Sequence, residues 1–521
     1  MNVARFLFLA GWLAATTAFG ETGPRPNERH VVVVVWDGMR PDFVTEANTP
    51  ALWKLAQEGV TFGHHHSVYP TATNVNGAAI ATGVYPNRNT LLANREYRPS
   101  LDPLHPIENA ELDVIEKADK VTGGKYIAAP TIAETVRAAG RRTAVVGTKA
   151  VAFVHDRHSD WSSGATKDFV KFAAAPMPAA LRAETLRLLG PFPIEPSKTD
   201  EPRNNYATRA LTEIMWRDGV PAFSLLWLSE PDMFQHDTSP GSPPSVAAVR
   251  SSDRNLATVL EALEKKDARK DTDVFVVSDH GFSTVERAID FPAELRKAGF
   301  DATKAFKETP KRGQVMVVGN GGSVLFYVVE HDRAVTSRLI EWLQRSDFAG
   351  VIFARDKFDG TFSLETVRAN TPEAPDVIVA LRWNAKPNRF GTPGQITTDN
   401  ARAPGEGSHA SLSQFDVHNT LIAAGPNFRE RVTTSLPSAN IDLAPTVLRI
   451  LGVDAPQKFD GRVLSEAMEE KAERTEALSK TIEASRQFPG GEWRQHLKVS
   501  LVGETVYIDE GNGSFAAAPS P

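Results

Sequence analysis

The sequence contains no cysteine, which excludes disulfide bonds and also excludes a lipidated cysteine at a processed N-terminus. It lacks any long basic stretch, and its formal net charge of −6 disfavours a role in coating nucleic acid. No apolar run reaches the ~20 residues that a comfortable membrane span requires. These absences disfavour a disulfide-stabilised protein, a nucleic-acid-coating protein and a membrane-spanning protein.

The N-terminus has the pattern of an export signal. Arg5 precedes the apolar run Phe6–Ala18, and the small-residue end Ala18-Phe-Gly20 follows it. This pattern predicts a signal peptide over residues 1–20, cleaved near Gly20 or Glu21. An uncleaved anchor is the less favoured alternative, because the run is short. We therefore predict a periplasmic or secreted protein with no membrane anchor after cleavage; its oligomeric state stays open.

Strands and helices alternate along most of the chain, and 41% hydrophobic residues suffice for a large core. The β-branched run His30–Trp36 predicts a strand buried on both faces, and Thr49–Gly59 predicts a helix with Pro50 in its first turn. The same reasoning predicts the following later elements: helices at Thr131–Ala139, Tyr206–Trp216, Val246–Leu263 and Leu443–Leu451, and strands at Thr143–Val146, Ala222–Leu228 and Val274–Ser278. We predict an α/β fold with a doubly wound, mostly parallel sheet.

The alternation stops after residue 282 and returns near residue 405. In between lie glycine-rich and proline-rich loops and three predicted strands: Ser323–Val329, Val351–Ala354 and Val377–Leu381. We predict that residues 21–282 and 405–465 form the catalytic core and that 283–404 form an inserted α+β subdomain or cap. Residues 466–521 are predicted to add a charged helix and a hairpin, Lys498–Leu501 and Val506–Asp509.

Metal-ligand side chains follow three of the predicted strands. Asp37 follows the first strand, Asp232 and His236 follow the third, and Asp279 and His280 follow the fourth. Ligands of open α/β sheets bind beyond the carboxyl ends of the strands, so these side chains are expected to converge. Asp232 and His236 share one helix face if a helix begins there. A further histidine, His409, lies in a polar, glycine-rich loop.

Three aspartates, three histidines and a hydroxyl group are enough for two four-coordinate zinc ions per chain. Nitrogen and oxygen ligands suit Zn²⁺, and two such ions roughly 4 Å apart can stabilise both oxygens of an in-line phosphoryl displacement. Each motif alone also has a structural reading, such as a turn aspartate or a solvated loop histidine.

The ordered motifs resemble those of the alkaline phosphatase superfamily, closest to its nucleotide pyrophosphatase/phosphodiesterase branch. The matching segments are Asp37-Gly-Met-Arg-Pro-Asp42, Pro70-Thr-Ala-Thr73, Thr82-Gly-Val-Tyr-Pro86 and the later Asn94. The similarity covers about residues 30–280 and 405–455.

This resemblance implies the role of each residue. One zinc ion would be held by Asp232, His236 and His409, and the other by Asp37, Asp279, His280 and the Thr73 oxygen. Thr73 would be the nucleophile, with Thr71 as the rival hydroxyl. The Asn94 amide and the backbone N–H groups of Thr73 and Asn74 would stabilise charge on the phosphoryl group.

The sequence departs from the phosphodiesterase pattern after Thr73. Asn74-Val-Asn76 replaces Phe-Pro-Asn and is similar instead to the phosphonoacetate hydrolase branch, so an aromatic wall of a nucleotide slot is missing there. Phe153, Trp161 and Phe169 are candidate replacements. Lys149 resembles half of a Lys-x-Arg phosphate clamp and is predicted to bind substrate, although a surface lysine is the alternative.

Two other histidine clusters are predicted to lie outside the site. In His64-His-His66 the consecutive side chains diverge on extended chain, so an auxiliary metal role is the less favoured alternative. His155, Asp156 and His158 are predicted at a cleft rim or loop.

We therefore predict a zinc-dependent hydrolase of phosphoesters, with small-molecule phosphodiesters as the favoured substrates and a covalent phospho-enzyme intermediate. The enzymatic alternatives are a phosphomonoesterase and a phosphonoacetate hydrolase-like enzyme. A non-catalytic binding protein that retains the fold is the alternative from another class.

Overall fold

The computed structural model describes residues 29–157, 179–193, 201–468 and 476–517. The predicted signal peptide and the residues His158, Trp161 and Phe169 lie outside these ranges. No helix of the described ranges is both long and apolar enough to cross a membrane.

The strands, in chain order, are β1 His30–Trp36, β2 Val60–Phe62, β3 His65–His66, β4 Arg95–Glu96, β5 Ile107–Glu108, β6 Thr143–Gly147, β7 Phe223–Leu228, β8 Thr272–Val277, β9 Ser283–Ile289, β10 Ala302–Thr303, β11 Val315–Gly319, β12 Ser323–Val328, β13 Ala349–Ala354, β14 Phe362–Ser363, β15 Val377–Leu381, β16 Trp383–Pro387, β17 Pro393–Asp399, β18 Gly407–Ser408, β19 Leu421–Ala424, β20 Val432–Thr434, β21 Ser438–Ala439, β22 Ala477–Phe488, β23 Gly491–Val502 and β24 Thr505–Ala517.

The α-helices, in chain order, are α1 Pro50–Gln57, α2 Thr73–Thr82, α3 Pro86–Asn89, α4 Leu112–Thr122, α5 Ile132–Ala138, α6 Ala152–His155, α7 Ala179–Leu189, α8 Glu201–Arg209, α9 Asp232–Thr238, α10 Pro243–Lys265, α11 Phe291–Lys297, α12 Arg333–Gln344, α13 Gln414–Val417 and α14 Leu443–Leu451. A π-helical segment, Ala210–Met215, continues α8 and completes the helix predicted at 206–216.

The central sheet has the strand order β20-β2-β19-β8-β1-β7-β6. β8, β1, β7 and β6 run parallel to one another, and β19 is antiparallel to both β8 and β2. The mostly parallel sheet is therefore confirmed. The register aligns the strand ends, since Val35 pairs with Val277 of β8 and Trp36 pairs with Leu228 of β7.

Both faces of β1 are buried, as its continuous β-branched run predicts. Val31, Val33 and Val35 pack into one hydrophobic cluster together with residues of α2, α5 and α14. Val32, Val34 and Trp36 pack into a second cluster on the opposite face, with residues of α1 and α10. Successive side chains of a strand point to opposite faces, so a strand covered on both sides must be apolar throughout.

The segment predicted as an insertion builds a second sheet of order β10-β11-β12-β15-β13-β14. A smaller sheet, β16-β17-β9-β18, joins this segment to the loop that carries His409, because β18 pairs with β9. The assignment of 283–404 as a separate subdomain stays a prediction.

The C-terminal extension differs from the expected helix and hairpin. Residues 477–488 form β22, and β22, β23 and β24 make one antiparallel sheet. The prediction of a charged helix was therefore wrong over 477–488. The predicted hairpin is present, and its strands are longer than expected. Ala, Glu, Leu and Lys favour helices, but pairing along all of β22 with β23 overrides that weak preference.

Candidate two-metal active site

Four neighbouring parallel strands deliver the polar side chains of the site. Asp37 directly follows β1, and Asp279 lies two residues beyond β8. Asp232 begins α9, shortly after β7, and Lys149 lies two residues beyond β6. The convergence of Asp37, Asp232 and Asp279 at the carboxyl edge of the sheet follows from this order.

His280 faces all three carboxylates. Its Nε2 lies 3.2 Å from Asp279 Oδ2, 3.6 Å from Asp37 Oδ1 and 3.9 Å from Asp232 Oδ1. The Asp279 carboxylate is fixed from its other side, since Gly38 N–H donates to Oδ1 at 3.0 Å. The ligand atoms of Asp37, Asp232 and His280 lie within 4.8 Å of one another, which is compatible with one metal ion.

A second group of ligands forms around Asp232. Its Oδ1 lies 3.3 Å from His236 Nε2 and 3.7 Å from His409 Nε2. Asp232 and His236 share one face of α9, as their spacing predicts. The His280 and His409 rings stack with centroids 3.7 Å apart, so the two groups are adjacent.

Each imidazole is oriented by a backbone carbonyl. His236 Nδ1 bonds Gly407 O at 3.0 Å, His280 Nδ1 bonds Gly281 O at 2.8 Å, and His409 Nδ1 bonds Thr71 O at 2.8 Å. A carbonyl oxygen only accepts, so each Nδ1 carries a proton and each Nε2 presents its lone pair to the site. Burial and the neighbouring His280 and His236 also lower the pKa of His409, which keeps it neutral.

The carboxylates fit metal ions better than they fit a protein partner. Asp37 Oδ1, Asp232 Oδ1 and Asp279 Oδ2 are buried and lack a hydrogen-bond donor. A buried carboxylate oxygen without a partner is costly, and the neighbouring Nε2 lone pairs cannot supply a proton. Burial and the charge of Asp279 raise the pKa of Asp37. Oxygen and imidazole nitrogen are a donor set that suits Zn²⁺.

The Thr73 hydroxyl lies at the same site. Thr73 is the first residue of α2, and its Oγ1 is 3.2 Å from His280 Nε2. The rival hydroxyl is engaged elsewhere, because Thr71 Oγ1 donates to Ser411 O at 2.9 Å. The geometry supports Thr73 over Thr71, and its role as nucleophile stays a prediction.

Asn94 lies against the start of α2. Its Oδ1 accepts from Asn74 N–H at 2.8 Å, and Asn74 Nδ2 donates to the Asn94 carbonyl at 3.4 Å. The backbone N–H of Asn74, expected to stabilise a phosphoryl group, is thus bonded to Asn94 in this structure. The Nδ2 group of Asn94 is the part of the amide that can donate a hydrogen bond to substrate.

Lys149 pairs with carboxylates of the site. Its Nζ lies 2.5 Å from Asp232 Oδ2 and 3.0 Å from Asp37 Oδ2. Although burial acts to lower the pKa of Lys149, these two carboxylates raise it, so the ammonium stays charged. Burial likewise acts to raise the pKa of Asp232, but Lys149 holds it well below its usual range. The expected contact of Lys149 with substrate stays a prediction. The alternative interpretation of Lys149 as an unpaired surface lysine is wrong.

Several positioning residues escaped the sequence analysis. Trp227 Nε1 donates to Asp37 Oδ2 at 2.8 Å, and Asn440 Nδ2 donates to Asp279 O at 2.7 Å. Asn440 also contacts Asn76, which bonds Val68 on both its donor and acceptor sides. Trp227 lies in a predicted strand and resembles any core residue. The pattern Thr73-Asn-x-Asn76 was the one available signal for Asn76.

Phe153 is the one candidate replacement for the aromatic wall of the nucleotide slot that lies within the described residues, and it does not line the site. Phe153 is 2% exposed and belongs to the core. His155 is also buried, with its ring 5.5 Å from that of Trp227, and Asp156 pairs with Arg137 at 2.6 Å. The prediction of a cleft rim or loop was therefore wrong for His155, which lies in the short helix α6 and is buried. Asp156 lies in the loop directly after α6, as predicted, although it is buried.

Acid is expected to destabilise the fold through His155. Burial lowers its pKa from 6.5 to about 3, so the unfolded chain binds a proton between these values that the folded chain does not. Stability is then complete above pH ~6.5 and falls as the pH drops toward 3. Urea unfolding at pH 7 and pH 5 should show a smaller loss for His155→Leu than for the original protein. An equal loss in both would contradict this assignment.

A cavity of about 310 Å³ opens beside the second ligand group. His236, His409 and Asn94 line it together with Arg95 and Lys304. A cavity of this size accommodates a substituent of a small-molecule substrate.

Comparisons with known proteins identify a matching family model and similar chains. Residues 31–394 match the family model described as type I phosphodiesterase / nucleotide pyrophosphatase. The chain is 22% identical over 258 residues to mouse ectonucleotide pyrophosphatase/phosphodiesterase family member 3, covering 48% of this chain and 24% of that protein. It is 22% identical to human family member 5 over 60% of this chain and 58% of that protein. The matches thus span a quarter to somewhat over half of these relatives.

Solved structures share the fold. Murine ectonucleotide pyrophosphatase/phosphodiesterase 5 superposes with a TM-score of 0.59 at 16% identity, covering 85% of this chain and all of that one. The human counterpart gives the same score at 17% identity.

Proposed function

Because this chain belongs to the type I phosphodiesterase/nucleotide pyrophosphatase family, we propose that it hydrolyses phosphodiesters at the carboxyl edge of its central sheet. Thr73 is the proposed nucleophile. The proposed zinc ligands are Asp232, His236 and His409 for one ion, and Asp37, Asp279, His280 and Thr73 for the other. The observation that supports this best is the set of buried carboxylate oxygens without donors, facing three oriented Nε2 atoms.

The reaction proceeds in two displacements. Thr73 Oγ1 forms a bond to phosphorus while the bond to the leaving oxygen breaks, and the remaining substituent stays on the covalent intermediate. Water then attacks phosphorus and the Thr73 oxygen leaves, which regenerates the hydroxyl. A free threonine hydroxyl is barely ionised at neutral pH, and two bound zinc ions would supply the missing activation and charge stabilisation.

A relative supports a threonine in this role. The murine family member 5 has been solved as an inactive threonine-to-alanine variant in complex with AMP. For this chain, the Asn94 amide is proposed to stabilise the charge of the phosphoryl group. Lys149 is proposed to balance the carboxylates Asp37 and Asp232, with which it pairs, and to reach a phosphoryl oxygen only secondarily.

Diesters are the expected substrates because a monoester dianion requires an extra cation. Lys149 is paired to two carboxylates, and the cavity beside His236 has room for a substituent. We expect a higher kcat/KM for an aryl phosphodiester than for the matching monoester. Lys149→Ala tests the alternative. A strong monoester preference that disappears in Lys149→Ala would make the protein a phosphomonoesterase, and phosphonoacetate turnover would assign it to the third class.

A further inference from the structure

A second group of metal-ligand side chains lies outside the catalytic set. It consists of His66 on β3, His418 directly after α13 and Asp509 on β24, whose ligand atoms lie within 4.8 Å of one another. The catalytic ligands include none of these residues. The group connects three segments that are remote in sequence, the last of which belongs to the C-terminal sheet.

Both ring nitrogens of His66 face hydrogen-bond acceptors. Nδ1 lies 2.9 Å from Ser438 O, and a carbonyl only accepts, so Nδ1 carries a proton. Nε2 lies 3.0 Å from Asp509 Oδ1, which is also an acceptor. Two acceptor atoms at this distance require either a proton or a metal ion between them.

The catalytic histidines show the same arrangement. In each, Nδ1 bonds a backbone carbonyl, and Nε2 faces a carboxylate at 3.2 Å in His280 and 3.3 Å in His236. His66 on β3 has the same arrangement of contacts, and its side chain is 1% exposed. An imidazole that binds a metal ion usually donates its other ring N–H to a backbone carbonyl or a carboxylate, which fixes its orientation.

The neighbouring ring favours a metal ion over a second proton. The His66 and His418 rings lie with centroids 4.6 Å apart. A second proton on His66 would leave the lone pair of His418 unused, whereas a metal ion would gain a nitrogen ligand from it. Burial lowers the pKa of His418 to about 3, so this ring is neutral and can donate a lone pair.

Asp509 is held in position for this role. The pairing of β23 with β24 shifts at this point, since Lys498 pairs with Glu510 while Val499 pairs with Ile508, and Asp509 is the extra residue. Such a bulge redirects a side chain. Ser500 Oγ donates to Asp509 Oδ2 at 2.8 Å and Oδ1 at 3.1 Å, which orients the carboxylate as metal-bound carboxylates commonly are.

We propose that His66, His418 and Asp509 bind a further divalent metal ion of the zinc class, which joins the C-terminal sheet to the catalytic core. Nitrogen, nitrogen and oxygen ligands favour Zn²⁺ over magnesium or calcium. The site is structural, since it contains no nucleophile of the proposed reaction.

Elemental analysis of zinc-reconstituted and desalted protein tests this site. His418→Ala and Asp509→Asn should each bind one zinc ion per chain fewer than the original protein. Asp509→Asn keeps the side-chain shape, so it remains informative if His418→Ala folds poorly. His496→Ala is the matched control, because His496 pairs with Glu510 on the same sheet and should leave the zinc content unchanged.

Equal zinc content in the original protein, His418→Ala and Asp509→Asn would overturn the proposal and would assign an imidazolium–carboxylate pair instead. The difference in zinc content between the original protein and a variant does not depend on how many zinc ions the original protein binds in total. A failure of the proposed catalytic function would appear as absent turnover in the original protein, which this comparison does not use.

Discussion

Replacing Thr73 with alanine is expected to lower kcat for a phosphodiester by about 10³-fold or more. The Thr73 oxygen is the proposed attacking atom, 3.2 Å from His280 Nε2, and alanine cannot form the covalent intermediate. The carboxylates and imidazoles stay in place, so zinc binding should remain largely intact. Steady-state kinetics together with elemental analysis measure both parts of this expectation.

Thr71→Ala is the control for this variant. Thr71 is buried and its hydroxyl donates to Ser411 O, so its loss should reduce stability but keep kcat within about tenfold. If Thr73→Ala retained most activity while Thr71→Ala was inactive, the nucleophile would have been assigned to the wrong threonine.

Asp232→Asn is expected to cost at least about 10²-fold in kcat and to weaken zinc binding, since loss of even an outer partner of a metal ligand costs 10–100-fold. Asp232 has the most central carboxylate of the site: Oδ1 faces His236, His280 and His409 within 3.9 Å. An amide keeps the shape of the side chain and removes the charge. Chelation should abolish activity in the original protein, and zinc should restore it.

Asp237→Asn provides the matched comparison on the same helix. Asp237 is 66% exposed and pairs with Arg402, away from the carboxylate cluster. Its kcat and zinc content should match those of the original protein. An Asp232→Asn variant as active as Asp237→Asn would exclude the proposed ligand sets.

Local patterns predicted the positions of the strand ends and therefore most of the site. A continuous β-branched run indicates a buried strand, and parallel neighbours place Asp37, Asp232 and Asp279 at one edge. His409 required the family resemblance, because nothing in its polar loop indicates which distant residues it contacts.

The remaining features depend on contacts between distant segments. Trp227 reaches Asp37 only because β7 pairs with β1, and Asn440 joins Asp279 across 161 positions of sequence. His155 and Lys149 have sequence surroundings typical of a loop. In the structure His155 is buried in the core, and Lys149 forms an ion pair with Asp232. In β22, pairing with a neighbouring strand outweighed helix-favouring composition.

The stereochemical course at phosphorus tests the central claim most directly. A phosphodiester made chiral at phosphorus by sulfur and oxygen-isotope substitution is hydrolysed in isotopically labelled water, and the configuration of the product is determined. Two in-line displacements, first by Thr73 and then by water, each invert the centre, so the account predicts net retention. Net inversion would mean that water attacks directly, and it would contradict a covalent intermediate on Thr73.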